Sequence, residues 1–309
     1  MTARSFETCS HADVEWLEAR NLRQFPWLLH AFSTRHGGFT DLDLGTADCE
    51  QPAAVRANRQ RFFAAIGAAG MALASVRQIH SSIVLQVRPG PKRELQYSHC
   101  GPAPVGAGEI PEGDALLTES PGVLLSVRTA DCLPVLIVDP QNHAVAAIHA
   151  GWRGGLGRII EKTVAEMRRV FRSEPRYLFV ALGPSIRACC YEVGEEVIDA
   201  FAGQFANSNS FFRKIPLRRD GKAPIPEACA NRRPALPQLS EGLPGPARPH
   251  GTGVALDLVA VALEQLRDVP RSHIQVASFC TSCRNDLLFS WRKEGSHAGR
   301  MMAVIGIRN

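Results

Sequence analysis

Residues 114–149 read DALLTESPGVLLSVRTADCLPVLIVDPQNHAVAAIH, and this stretch decides the fold class. It holds four short apolar runs, Asp114–Thr118, Val123–Val127, Val135–Asp139 and Ala144–His149. They carry β-branched residues and are parted by turn residues, the pattern of successive strands. The period then changes. Over Gly154–Arg172 the residues Leu156, Ile159, Ile160, Val164, Met167, Val170 and Phe171 recur at helical spacing, with Arg168, Arg169 and Arg172 suited to a helix C-terminus.

Working outward, Leu29–Ser33 predicts a strand, residues 52–66 a helix with Pro52 near its start, and Ser75–His80 and Ile83–Val87 short strands. Residues 1–28 read as a leader with a helical turn around Val14–Ala19. Towards the C-terminus, strands are predicted at Tyr177–Leu182, Ile274–Phe279 and Met301–Ile307, and helices at Val193–Phe205 and Leu256–Leu266. Strands and helices alternate throughout. The expected class is therefore α/β, or α+β with mixed sheets, in a single domain over 29–309. Two segments lack pattern and read as insertion loops. One is the Pro/Gly-rich 88–112, and the other is 213–250, with eight prolines and a basic cluster.

The net charge of +5 lies within 213–250, which carries eight Lys/Arg against three acidic side chains, so the rest of the chain is neutral. A basic loop of this kind is usually a solvated face, and a dedicated nucleic-acid surface is not expected. No run of about 18 apolar residues suggests a membrane helix. The first residues contain no apolar signal-peptide core, and the nine cysteines are an odd number, so a reducing, cytoplasmic setting is expected.

Three places offer chemistry. Thr129-Ala-Asp-Cys-Leu-Pro134 lies between two strands, and Asp131 and Arg128 flank Cys132 in a setting able to stabilise a thiolate. Ile148-His-Ala-Gly-Trp-Arg-Gly-Gly155 puts His149 at a strand end before a Gly-rich turn and a helix start. Arg77-Gln-Ile-His80 puts a second histidine between strand-like runs. Taken singly, each has an ordinary reading: a buried thiol, a hydrogen-bonded histidine, a surface histidine. Taken together, His80, Cys132 and His149 form a ligand set suited to Zn²⁺, with a fourth position left for water. Cys280-Thr-Ser-Cys283, a CxxC after a strand, would suit structural zinc or redox chemistry, but no second CxxC or Cys/His pair lies nearby and the pair reads as fortuitous. Cys189-Cys190, as chain neighbours, read as packing residues.

These motifs resemble a known family. Phe32-Ser-Thr-Arg-His-Gly-Gly38, Gln78-Ile-His80, Gly113-Asp-Ala115, Thr129–Pro134, His149–Gly154, Leu182–Ile186 with Cys190–Val193, Cys280-Thr281, and Phe289-Ser-Trp-Arg292 with Gly299-Arg300 occur in its order. It is the laccase-domain, YfiH-type family, first called multicopper polyphenol oxidases and later purine nucleoside phosphorylases. The resemblance covers about 29–212 and 251–308. It implies a single α/β domain with a His80/Cys132/His149 zinc site. It also implies phosphorolysis of adenosine, inosine, guanosine or methylthioadenosine, with adenosine deamination as a further activity. The loops at 88–112 and 213–250 depart from the family's pattern.

The chain has ten histidines, whereas the trinuclear cluster of a laccase takes about eight, and only His36, His80 and His149 lie in the recurring motifs. A multicopper oxidase is thus chemically disfavoured, although one site could bind Cu²⁺. Arg35, Arg153, Arg292 and Arg300 are the candidate phosphate or substrate binders, and Asp131 a candidate acid/base. The expected partners are a purine nucleoside and phosphate, on a monomer or weak homodimer. Two other readings stay open: a cysteine hydrolase using Cys132 and His149, and a binding or scaffold protein with a structural metal.

Overall fold

The computed structural model describes residues 5–37, 41–45, 52–90, 94–100, 110–215 and 252–309. Most of the 213–250 segment, residues 101–109 and His250 lie outside the described residues.

The four runs that decide the fold are strands: β7 (Ala115–Thr118), β8 (Val123–Thr129), β9 (Leu133–Asp139) and β10 (Ala144–Ala150). Every residue of β9 and β10 is buried. Because side chains alternate across a strand, a continuous apolar run requires cover on both faces. β9, β10 and β7 lie in a seven-stranded sheet with β5 (Val84–Pro89), β6 (Leu95–His99), β11 (Phe179–Leu182) and β14 (Ile274–Val276), in the order β14-β11-β9-β10-β7-β5-β6. β8 joins a six-stranded sheet with β1 (Phe6–His11), β2 (Val14–Ala19), β3 (Leu28–Gly37), β4 (Ala72–Ala74) and β15 (Met301–Ile307), in the order β1-β2-β3-β15-β8-β4. Both sheets are mixed: β11/β14, β5/β7 and β4/β8 pair parallel, and their other pairs are antiparallel.

Strand parity builds four layers. Leu136, Val138, Val145 and Ala147 pack against Phe32, Leu125, Val127, Ala303 and Ile305, joining the sheets face to face. The alternate residues Val135, Ile137, Ala146 and Ile148 face helices α3 (Ile159–Phe171), α4 (Glu195–Gln204) and α5 (Leu258–Gln265). On the far side, Leu29, Ala31, Met302 and Val304 pack on Phe62 of α1 (Pro52–Ala65). A hairpin of β12 (Phe212–Lys214) and β13 (Val254–Leu256) completes the described elements of the helical side, and α6 (Trp291–Glu294) precedes β15. No helix of the described residues is long and apolar enough to cross a membrane.

The fold corrects several expectations. Val14–Ala19 is a strand, not a helical turn, and with β1 it extends the six-stranded sheet. Both of its faces are covered, with Val14 and Trp16 packed on the α1 side and Leu17 and Ala19 between the two sheets. Ser75–His80 is irregular, and the strand before it is the three-residue β4. Part of the 88–112 loop is the β5–β6 hairpin. The helix expected over Gly154–Arg172 breaks in two, α2 (Trp152–Leu156) and α3, at left-handed Arg158, φ 58°. Gln265 of α5 bridges the break. Its Oε1 accepts from the N–H of Ile160 (3.1 Å) and Glu161 (3.3 Å), and its Nε2 donates to the Gly155 carbonyl (2.9 Å). These are the groups that a helix start and a helix end leave without partners.

One consequence concerns acid stability. His30 of β3 is buried, and its Nε2 accepts from the Ala19 N–H at 3.0 Å, which requires a neutral ring. Burial lowers its pKa from 6.5 to about 4. The unfolded chain therefore binds more protons between those values, and stability falls as pH drops from 6.5 to 4, by about 3 kcal/mol from this group alone. Urea midpoints measured across this window should decline, and His30→Gln should flatten that part of the decline.

Candidate metal centre

Three adjacent ladder ends assemble the site. β10 pairs with β9 so that Ala150 faces Leu133, which brings Gly151 beside Cys132. β10 pairs with β7 so that Ile148 faces Ala115, and the next residue, His149, donates its backbone N–H to the Asp114 carbonyl at 2.7 Å. Asp114, His149 and Cys132 are thus fixed in a row across three buried strands.

His80 reaches the row from the irregular segment after β4, and the Asp114 carboxylate holds it there. That carboxylate accepts from the backbone N–H of Ile79 (3.3 Å), His80 (3.1 Å) and Ser81 (2.6 Å), and from Ser81 Oγ (2.7 Å). Its Oδ1 also accepts from His149 Nδ1 at 2.8 Å. One buried carboxylate therefore orients both histidines. His80 is left-handed, φ 58°, and the cradle of N–H bonds supports that conformation. The result is a group in which ligand atoms of His80, Cys132 and His149 all lie within 4.8 Å of one another. His149 is buried, Cys132 is half-buried and His80 is exposed, so the group opens to solvent on the His80 side.

The electrostatics are those of an ionised thiol. Burial opposes the Cys132 thiolate, but His149 and His80 outweigh it and its pKa is lowered. Burial likewise opposes a charged His149, but Cys132 and Asp114 outweigh it and raise its pKa. Burial also works against the Asp114 carboxylate, and its bonds to His149 and Ser81 more than compensate, so its pKa is lowered. The two imidazoles are the groups that lower the Cys132 pKa, and Arg128 donates to the Val76 carbonyl at 2.9 Å.

Gly151 is required by close approach. A Cβ there would sit 2.9 Å from Cys132 Sγ and 3.2 Å from His80 Cδ2. Gly151→Ala should push both ligands apart, weakening metal retention and lowering activity by about 10–100-fold, an effect the size of a displaced supporting group. Metal content after dialysis against a chelator, measured beside the unchanged protein, checks this.

The other expected site residues are dispersed. Asp131, left-handed at φ 97° and buried, accepts from Thr281 Oγ1 (2.5 Å) and from the Arg292 N–H (2.6 Å), which ties both of its oxygens to the neighbouring wall. Arg35 is committed to Asp41 and Glu294 and to the Asn285 carbonyl. Arg300 donates to the carbonyls of Ala298 and Gly299. Arg292 donates to the Glu192 carbonyl at 3.0 Å and lies over Tyr191. Arg153, on α2 two residues past Gly151, is the exposed member of the four and lies over Trp152. Sequence reasoning missed Asp114 as a site residue. The available signals were an Asp at the threshold of an apolar strand and its place in the Gly113-Asp-Ala115 motif. It also missed Tyr191, whose phenol is pushed up by burial and then by the nearby Cys132 charge.

The larger correction concerns the remaining cysteines. Cys189, Cys190, Cys280 and Cys283, read as packing residues and a fortuitous pair, converge into a second group with sulfurs within 4.8 Å. Among the described residues there is no third such group. His36 bonds the Asp286 carbonyl, His143 stacks on Trp27 and His273 on Phe179, so these rings do not gather into a multi-copper cluster.

Fold and site together define a two-sheet α/β protein with an open, two-histidine, one-cysteine candidate metal group. The chain belongs to the multi-copper polyphenol oxidoreductase laccase family, whose profile matches residues 29–232 and 225–308. It is 32% identical over 284 residues to a purine nucleoside phosphorylase of Deinococcus radiodurans, covering 90% of this chain and 88% of that one. It is 30% identical over 304 residues to a purine nucleoside phosphorylase of Bacteroides thetaiotaomicron, covering 96% and 97%. Adenosine deaminase RL5, from an unknown prokaryotic organism, is 36% identical over 192 residues, 62% of this chain and 61% of that one. The crystal structure of YlmD from Geobacillus stearothermophilus superposes with a TM-score of 0.72 at 28% identity, covering 99% of this chain and 100% of that one.

Proposed function

We propose that this chain is a zinc-dependent purine nucleoside phosphorylase that converts adenosine, inosine, guanosine or methylthioadenosine and phosphate to the base and a ribose 1-phosphate, with adenosine deamination as a second activity. The observation that carries the reading is the open His80/Cys132/His149 group, set beside full-length relatives named for phosphorolysis. The donor set fits zinc: one thiolate and two imidazoles, one of them locked by a carboxylate. Bound there, zinc would supply Lewis acidity to a substrate oxygen.

The chain's own groups take defined parts. Asp114 fixes the His149 tautomer, with the proton on Nδ1 and the Nε2 lone pair left for the ion. Tautomers follow from this bonding pattern. Arg153, exposed on α2 two residues past Gly151, is the arginine we assign to phosphate. Asp131 positions the Thr281 and Arg292 segments, and we assign it no proton transfer. In phosphorolysis a phosphate oxygen bonds to ribose C1′ as the glycosidic bond breaks and the base leaves with a proton. In deamination water adds at C6 and ammonia departs.

Purified protein incubated with inosine and with adenosine, each with and without phosphate, tests this. Phosphate-dependent hypoxanthine and ribose 1-phosphate are expected from inosine. If neither forms, and adenosine yields neither adenine nor ammonia, the reading is wrong.

One feature favours a second reading, a cysteine hydrolase: Cys132, His149 and Asp114 also form a thiolate–imidazole–carboxylate chain. Alkylation separates the two. A metal-bound Cys132 is protected from iodoacetamide until a chelator is added, whereas a hydrolase nucleophile reacts at once.

A further inference from the structure

The four cysteines of the second group come from two loops. β11 and β14 are parallel neighbours, and their ladder continues past both strands through the Ala277 N–H to the Leu182 carbonyl (2.8 Å) and the Ser185–Cys280 bridge. Each chain then turns. Cys190 and Tyr191 donate their N–H to the Arg187 carbonyl at 2.8 and 2.9 Å, and Arg284 donates to the Cys280 carbonyl at 2.8 Å. The first turn presents Cys189 and Cys190, and the second presents Cys280 and Cys283.

The sulfurs then meet. Cys189 and Cys283 Sγ are 3.6 Å apart, and Cys190 and Cys283 Sγ are 3.3 Å apart. These separations exceed the roughly 2.05 Å of a disulfide. They approach the sulfur–sulfur spacing of about 3.8 Å in a tetrahedral tetrathiolate with zinc–sulfur bonds near 2.3 Å. A cubane iron–sulfur cluster would hold its four cysteines farther apart. Among the described residues no carboxylate or imidazole joins the four thiols. Thiols are weak hydrogen-bonding partners, and hydrophobic packing gives no reason for four of them to converge on one point.

We propose that Cys189, Cys190, Cys280 and Cys283 bind one zinc ion as a closed structural tetrathiolate site. Four thiolate ligands suit a tetrahedral zinc site and leave no open position for substrate. The site clamps the two loops to each other. Thr281, next to Cys280, donates to Asp131, and Asp131 precedes Cys132. Tyr191, next to Cys190, lies under Arg292, whose N–H also bonds Asp131. The ion thus fixes the wall of the His80/Cys132/His149 group without joining it.

The test is metal content under reducing conditions after growth with zinc. The unchanged protein should carry about two zinc ions per chain, and a His80→Asn/Cys132→Ala/His149→Ala variant about one. X-ray absorption of that variant should show four sulfurs near 2.3 Å. Cys280→Ser/Cys283→Ser should lose this ion and keep the other. If either variant fails to fold, cobalt titration of the unchanged protein decides, because a tetrathiolate gives a sulfur-to-metal charge-transfer band several-fold stronger per cobalt than a site with the single Cys132 thiolate. A metal-free triple variant, nitrogen or oxygen ligands in its spectrum, or disulfides among these cysteines in intact mass would each overturn the proposal. None of these readouts uses turnover, so the proposal can fail or stand independently of the nucleoside reading.

Discussion

Cys132→Ala is expected to lower kcat/KM for inosine phosphorolysis by about 10³-fold or more, a loss of about 4 kcal/mol of transition-state stabilisation. The thiol is one of three ligand atoms gathered within 4.8 Å, and it is the one that brings a negative charge. Its removal leaves two imidazoles and shifts His149 back towards an ordinary pKa, because the Cys132 charge is what chiefly supports the raised value against burial. The effect on folding should be small, since Cys132 is only half-buried. Steady-state kinetics with metal analysis check this, with His149→Ala and His80→Asn as companions. Asn is chosen at position 80 because it tolerates the left-handed backbone there. Activity within tenfold of the unchanged enzyme would remove the metal group from the chemistry.

Asp114→Ala should do two kinds of damage. The carboxylate is fully buried and accepts from three backbone N–H groups, the Ser81 hydroxyl and His149. Deleting it strands these donors, and buried donors without partners cost about 1–3 kcal/mol each when water cannot replace the acceptor. A total near 3–5 kcal/mol is expected, with a Tm lower by roughly 10 °C. Activity should fall by about 10–100-fold or more through loss of the second-layer acceptor on His149 and of the His80 cradle. Asp114→Asn keeps the size and part of the acceptor capacity. It should recover most of the Tm while leaving activity low, and that split separates orientation of the ligands from simple support of the fold.

The family description and the site point in different directions, and ligand chemistry explains why. A multi-copper centre needs many converging histidines, and His30, His36, His143 and His273 are engaged instead by carbonyls, a backbone N–H or aromatic rings. What this chain does bring together is one open mixed site and one all-sulfur cluster. Their different ligands predict different behaviour towards chelators. The open site, with three protein ligands, should lose its ion first.

Much was legible in the sequence because it is local. The apolar runs at 114–149 are strands because β-branched residues and turn residues alternate at strand length, and their unbroken burial follows from cover on both faces. Asp257, just ahead of an apolar helical run, caps α5 by accepting from the N–H groups of Val259 and Ala260. His80, Cys132 and His149 were legible from residue type and family order. Other features depend on partners far away in the chain. Val14–Ala19 is a strand because β3 offers an edge to pair with, and the helix breaks at Arg158 because Gln265, over 100 residues on, satisfies the freed groups. Asp114 was passed over because its worth lies in five donors from two other segments. The four sulfurs stayed hidden because spacing along the chain carries no information about two loops joined by a parallel ladder. Sequence alone therefore determined most of the strands, the class and the candidate set His80, Cys132 and His149. The tertiary structure decided which carboxylate touches that set and that four further cysteines converge, because convergence in space is fixed by strand register, and register is set by packing across the whole sheet.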